Sequence, residues 1–203
     1  MTDEPQTPAE PTRVARLGTR LRVGDLVFIQ VRPKPFQQVS LATGSWTNHV
    51  GVVIELSAGE PMIAESTFPF SRRTTLSRFV HRSRCGRVAV ARLQSSLDAK
   101  QEVRVQQSAR RRLGVFYDTG FNLHSRRQFC SRFAREVLAE STGTQVGDVE
   151  TFTQLLLRRP ETNLTFWKWW YFGRIPWERQ TVSPASLLES PLVRVVFDGK
   201  AAA

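Results

Sequence analysis

A chain of 203 residues with 40% hydrophobic content and five tryptophans carries enough apolar material for one packed core, which excludes a disordered chain. The net charge of +11 comes almost wholly from arginine, with Lys34, Lys100, Lys168 and Lys200 the lysines; such a surplus suits nucleic acid, an anionic membrane surface or an acidic substrate, and equally an arginine-rich genome. Cys85 and Cys130 form neither a disulfide framework nor a zinc-spaced cluster with histidine, so no metal and no cofactor is expected.

Met1 to Pro11 is acidic and proline-bearing and lacks the apolar core of a signal peptide, and no run of 18 apolar residues occurs. A cytoplasmic location is therefore expected. Residues 1–18 read as a disordered leader, 19–198 as a single domain and 199–203 as a tail. Leu26 to Ile29 is a short apolar run suited to a buried strand. Residues 32–47, with two prolines and Gly44, predict a loop with at most one helical turn. His49 to Glu55 is the clearest strand, and Ser57 to Pro61 turns it into a hairpin with Pro61 to Ser66.

A short helix is predicted over 76–82 and an alternating strand over 86–93. Asp98, with Gln101 three residues on, opens a helix that Gly114 stops. A helix starts around Cys130, another spans 148–159, Ser183-Pro184 begins a short one, and 192–197 is a closing strand. With no internal repeat, an α+β domain is the economical reading.

Phe129, Phe133 and Val137 recur at spacing four, with Ala134 and Leu138 beside them, so Cys130 falls in the first turn of a helix with a buried face. Unpaired N–H groups and the positive end of the helix dipole stabilise a thiolate there. Taken alone, a cysteine on such a helix is usually a small core residue. A nucleophile needs a base, and the base an orienting partner. Of the three histidines, His81 and His124 sit among arginines, whereas His49 starts the strongest strand, where a rigid backbone aims its ring. Glu65, on the returning strand, is the partner that suggests itself. Symmetrical pairing about the turn sets Glu65 opposite Val52, so reaching His49 requires a bulge, a twist or a diagonal contact.

Gly24-Asp25-Leu26-Val27-Phe28 followed by Thr47-Asn48-His49-Val50-Gly51, Ala64-Glu65-Ser66, and Tyr117 upstream of Phe129-Cys130-Ser131 together resemble the core of NlpC-like papain-fold cysteine hydrolases. The cysteine segment comes last instead of first, so the resemblance is to the circularly permuted branch, the YebB- and YiiX-like proteins, over roughly residues 20–198. It implies a permuted papain-like fold, with an antiparallel sheet packed against helices and the nucleophile at a helix N-terminus. It implies Cys130 as nucleophile, His49 as base, Glu65 as the orienting residue and Tyr117 as a substrate- or oxyanion-binding group. Arg132 departs from the ordinary family, which tends to have glycine there; it alters leaving-group or carboxylate recognition, or faces solvent.

The expected function is a cysteine amidase or peptidase-like hydrolase acting on a small-molecule, peptide or acyl-amide substrate. The rivals are a lipid acyltransferase of related fold, and a basic membrane- or nucleic-acid-associated binding protein whose cysteine is inert. Phe166 to Phe172 is densely aromatic, which fits completion of the core or cover for a sheet edge; an acyl pocket or contact with an anionic membrane surface is the alternative. No motif for specific nucleic-acid recognition is present.

Overall fold

The computed structural model describes residues 12–56 and 60–201. Six strands form one antiparallel sheet in the order β4-β3-β2-β1-β5-β8. The strands are β1 (Leu26–Ile29), β2 (His49–Leu56), β3 (Pro61–Glu65), β4 (Arg72–Thr75), β5 (Arg87–Leu93) and β8 (Val193–Lys200). Val149–Thr151 (β6) and Gln180–Val182 (β7) make a separate two-stranded ribbon.

Both faces of the sheet are covered, which is why every residue of β1 is buried and its sequence runs apolar without alternation. On one face, Val50, Val52 and Ile54 of β2 pack with Val105 and Ala109 of α4 (Ala99–Arg111) and with Phe133, Val137 and Leu138 of α5 (Cys130–Thr142). On the other, Val53 and Ile63 meet Leu76, Phe79 and Val80 of α3 (Leu76–His81). No described helix is long and apolar enough to cross a membrane.

The predicted hairpin, the 76–81 helix and the Asp98 capping box with Gln101 are all present. Four expectations need correction. The leader's end is ordered: residues Arg13–Gly18 form α1, capped by Thr12, with Leu17 buried; residues 1–11 lie outside the described ones. Residues Lys34–Thr43 form a ten-residue helix, α2. Pro33 and Pro35 sit at its start, where a missing N–H costs nothing, and Gly44 ends it at φ 68°. The predicted helix from Asp148 begins at Phe152 (α6, Phe152–Leu157), because Thr151 and Gln154 form a capping box and the residues before them pair with β7. The last strand continues to Lys200, which pairs with Arg87, so the tail starts later than expected.

The aromatic run divides. It forms α7 (Leu164–Trp170), in which Trp167 is buried in the core. Trp170 donates to the carbonyl of Thr119 at 3.0 Å and Tyr171 to that of Gly120 at 3.1 Å, which braces the loop before α5. Trp169 and Phe172 project outward, 71% and 97% exposed.

One glycine positions the site. Gly51 is buried in β2, and a Cβ there would press on Ile63 and lie 2.9 Å from Cε2 of Phe79. The bare backbone lets the Phe79 ring come close enough to stack on His49, with centroids 5.6 Å apart and planes at 28°. Gly51→Ala is expected to destabilise the fold by about 1–3 kcal/mol through overpacking. Chemical-denaturation midpoints check this; a shift under about 0.5 kcal/mol would mean that the α3 face yields freely.

Candidate active site

The hairpin register resolves how Glu65 reaches His49. A bulge between Val53 and Glu55 shifts the pairing, so that Val52 stands opposite Ala64. Continuing that register sets Glu65 opposite Gly51 instead of Val52. His49 and Gly51 are two residues apart and share a face, so Glu65 is a diagonal neighbour of His49. Its Oε2 lies 2.6 Å from His49 Nε2. Upstream, Thr47 donates to the Ile29 carbonyl at 2.9 Å, and Asn48 bonds both the N–H and the carbonyl of Val31, which fixes the chain entering His49.

Cys130 is the first residue of α5. Phe129 is its N-cap and supplies no side-chain hydrogen bond, so the first-turn N–H groups are free to serve the site. Ser131 ties the same turn to the ribbon by donating to the Val182 carbonyl at 2.7 Å. Cys130 comes to the end of the sheet where β2 begins and meets His49 there. Burial raises the thiol pKa, but the His49 ring and the N–H groups of Val50 and Ser131 lower it more, and the net direction is down. Burial lowers the His49 pKa, yet Cys130 and then Glu65 raise it, to about 9. With Nε2 committed to Glu65, Nδ1 is the nitrogen left for the thiol; it has no geometrically good hydrogen bond in the resting protein, although after burial each group is the largest influence on the other's ionisation.

Glu65 has no solvent exposure. Burial pushes its pKa up, but His49 and Arg82 outweigh burial and bring it to about 2. Arg82 donates to Oε2 at 2.6 Å and Arg72 to Oε1 at 3.1 Å. Neither arginine stood out in the sequence. Arg72 lies on β4, a strand with no hydrophobic alternation to announce it, and Arg82 follows α3 in an arginine-rich stretch.

Tyr117 also joins the group. It is buried, burial and then the charge on Cys130 hold its pKa well above the usual tyrosine value, and its hydroxyl has no good hydrogen-bond partner in the protein. A neutral O–H beside the sulfur is thus available to a ligand. The other histidines are placed differently: His124 bonds Gln180 at 2.8 Å, and His81 is exposed on the wall of the cleft that His49 borders. Arg132 neither faces solvent nor reaches the thiol; it pairs with Glu136 at 2.6 Å and donates to the carbonyls of Ser125 and Arg127.

Phe36 of α2 stands over the group, its ring 6.3 Å from His49 and 5.9 Å from Tyr117 by centroids. On one side of Phe36 a cleft of about 870 Å3 opens on His49. On the other, a narrow apolar slot of about 20 Å3, walled by Phe121, Phe129 and Trp167, reaches Cys130. Among the described residues, no group of three or more His, Cys, Asp or Glu could hold a metal ion.

Comparisons with known proteins bear on the family and the fold. Residues 20–197 match the family described as permuted papain-like amidase enzymes, YaeF/YiiX, C92 family. The uncharacterized protein YiiX of Escherichia coli (strain K12) is 27% identical over 175 residues, which is 86% of this chain and 85% of that protein. A crystal structure described as that of metalloprotein yiiX from Escherichia coli O157:H7 has a TM-score of 0.81 and 26% identity, covering 88% of this chain and 97% of that one. A six-stranded sheet with a buried cysteine at a helix start, set in a chain that matches this family over nearly its whole length, belongs to the permuted papain-like YaeF/YiiX amidases, the C92 family of cysteine amidase- and peptidase-like hydrolases.

Proposed function

We propose that Cys130 is the nucleophile of an amide hydrolase, with His49 as its base and acid, Glu65 as orienter and Tyr117 as a donor to the developing oxyanion. The observation that carries this reading is the His49 ring, which is held through Nε2 by a buried carboxylate while Nδ1 is left to the thiol. The thiol proton rests on Nδ1, and as the thiolate sulfur bonds the carbonyl carbon the C=O electron pair moves onto oxygen. The N–H groups of the uncapped α5 turn and the Tyr117 hydroxyl then face that oxygen. When the pair returns, the C–N bond breaks and His49 gives its proton to the departing nitrogen. Water adds to the thioester carbonyl and gives one proton to His49. The C–S bond breaks, the carboxylic acid leaves, and the thiolate remains beside the protonated His49. The slot at Cys130 has room for about one water, which favours hydrolysis over transfer to a large acceptor.

The structural relative's description as a metalloprotein does not transfer to these residues. Glu65 has its oxygens taken by His49, Arg72 and Arg82, and two guanidiniums beside it repel a cation. No step is routed through a metal.

Site-resolved alkylation with iodoacetamide tests the central pair. A lowered thiol pKa means that the thiolate appears at lower pH, so Cys130 is expected to react well below the midpoint of a free thiol, about 8.5. Hydrolysis itself needs thiolate and imidazolium together, so its rate rises as Cys130 ionises and falls as His49 deprotonates, near pH 9. In His49→Ala the alkylation midpoint is expected to rise by roughly one pH unit or more. A midpoint identical in both proteins removes the ion pair from the mechanism.

The outward aromatic tip supports membrane contact beside this chemistry. Trp169 and Phe172 are exposed, with Lys168 and Arg174 adjacent, a pattern suited to an anionic lipid interface. Vesicles containing phosphatidylserine are expected to sediment the protein at low salt and to lose it when Trp169→Ser and Phe172→Ser are combined. Equal binding by that variant would place the contact elsewhere.

A further inference from the structure

The cleft that opens on His49 is bordered by cations from four separate parts of the chain: Arg13 of α1, Arg32 after β1, Arg82 after α3 and Lys200 of β8. No Asp or Glu is among its lining residues. Among the described residues Arg32 and Lys200 are exposed and form no ion pair, although neighbouring carboxylates elsewhere on the surface do pair with arginine. Arg82 spends one terminal nitrogen on Glu65, while its Nε is buried without a hydrogen-bond partner. Like charges gathered around a concave, low-dielectric wall repel one another and focus a positive potential into the space between them. An anion in that space relieves the repulsion.

The position of the cleft says which part of a substrate would bring the anion. His49 borders the cleft, Cys130 lines the slot beyond Phe36, and the proton held by His49 goes to the departing group. The departing group therefore lies on the His49 side. We infer that the cleft is the leaving-group subsite and that the leaving group is anionic: an amide whose amine half carries a carboxylate or a phosphate. This rests on the reading of Cys130 and His49 given above. In the step it concerns, the C–N bond breaks, the His49 proton moves to nitrogen, and the anionic amine departs through the cationic cleft while the acyl group stays on sulfur.

Iodoacetate and iodoacetamide are nearly equal in size and differ in charge, so the ratio of their alkylation rates reads the subsite without a known substrate. In the intact protein the ratio at Cys130 is expected to exceed that of free cysteine. In the double variant Arg32→Glu, Lys200→Glu it is expected to fall about tenfold. Cys85, an exposed thiol bordering the same cleft, reports the local potential independently. Competition identifies the anion: slowing of Cys130 alkylation by inorganic phosphate alone assigns a phosphate-bearing leaving group, and slowing by glutarate assigns a carboxylate. An unchanged rate ratio at both cysteines, or protection by neither anion, overturns the subsite. A Cys130 inert to both reagents, with the ratio at Cys85 still falling in the variant, overturns the nucleophile reading and leaves the charge of the cleft in place.

Discussion

A carboxylate with no access to water sits at the centre of this structure, and the surrounding elements are arranged so that it keeps its charge. Burial alone would favour protonation of Glu65, and a protonated Glu65 would hold His49 far less firmly. Three donors prevent this: His49 from β2, Arg72 from β4 and Arg82 from the end of α3. Arg72 is the direct cross-strand partner of Glu65, so the β3–β4 pairing and the charge pairing are one arrangement. Removing one partner from a buried ion cluster typically costs about 3–5 kcal/mol, because the remaining charge is left without compensation. The sheet edge, α3 and the imidazole are thereby coupled.

The coupling works only in one register. Without the bulge after Val53, Glu65 would stand one residue further along β2, and the side-chain period would send it to the opposite face from His49. With the bulge, Glu65 and His49 share the α3 face, and the absence of a side chain at Gly51 leaves room for Phe79 to stack on the ring. Helix α5 approaches from the other face and delivers Cys130 at the end of the sheet. Cys130 and His49 thus come from opposite layers, which limits the freedom of either to drift from the other.

The elements that carried a strong local signal were legible in the sequence. The β-branched run from His49, the apolar spacing behind Cys130 and the Asp98 capping box each had a physical cause within a few residues, and the motif segments placed Cys130, His49, Glu65 and Tyr117 in one family pattern. What escaped had its cause elsewhere in the chain. Helix α2 was hidden by prolines that break a helix interior but are harmless at its start. Strand β4, Arg-Arg-Thr-Thr, is a strand because β3 offers it an edge, and nothing in its own composition says so. For the same reason Arg72 could not be joined to Glu65. The sequence leaves a bulge, a twist or a diagonal contact open for Glu65 to reach His49; the bulge after Val53 depends on how two strands pack and is not written in either.

The charge arithmetic of the site links the catalytic group to the cleft. With Cys130 as thiolate and His49 as imidazolium, those two charges and Glu65 still leave the arginine pair with one positive charge in excess. The second guanidinium therefore does more than compensate Glu65. What it adds is potential: Arg82 carries positive charge to the wall of the cleft where Arg32 and Lys200 stand unpaired. The arginine surplus, which the composition leaves open between genome bias and function, is at this place gathered around one cleft. One residue, Arg82, both steadies the carboxylate beside His49 and lines that cleft.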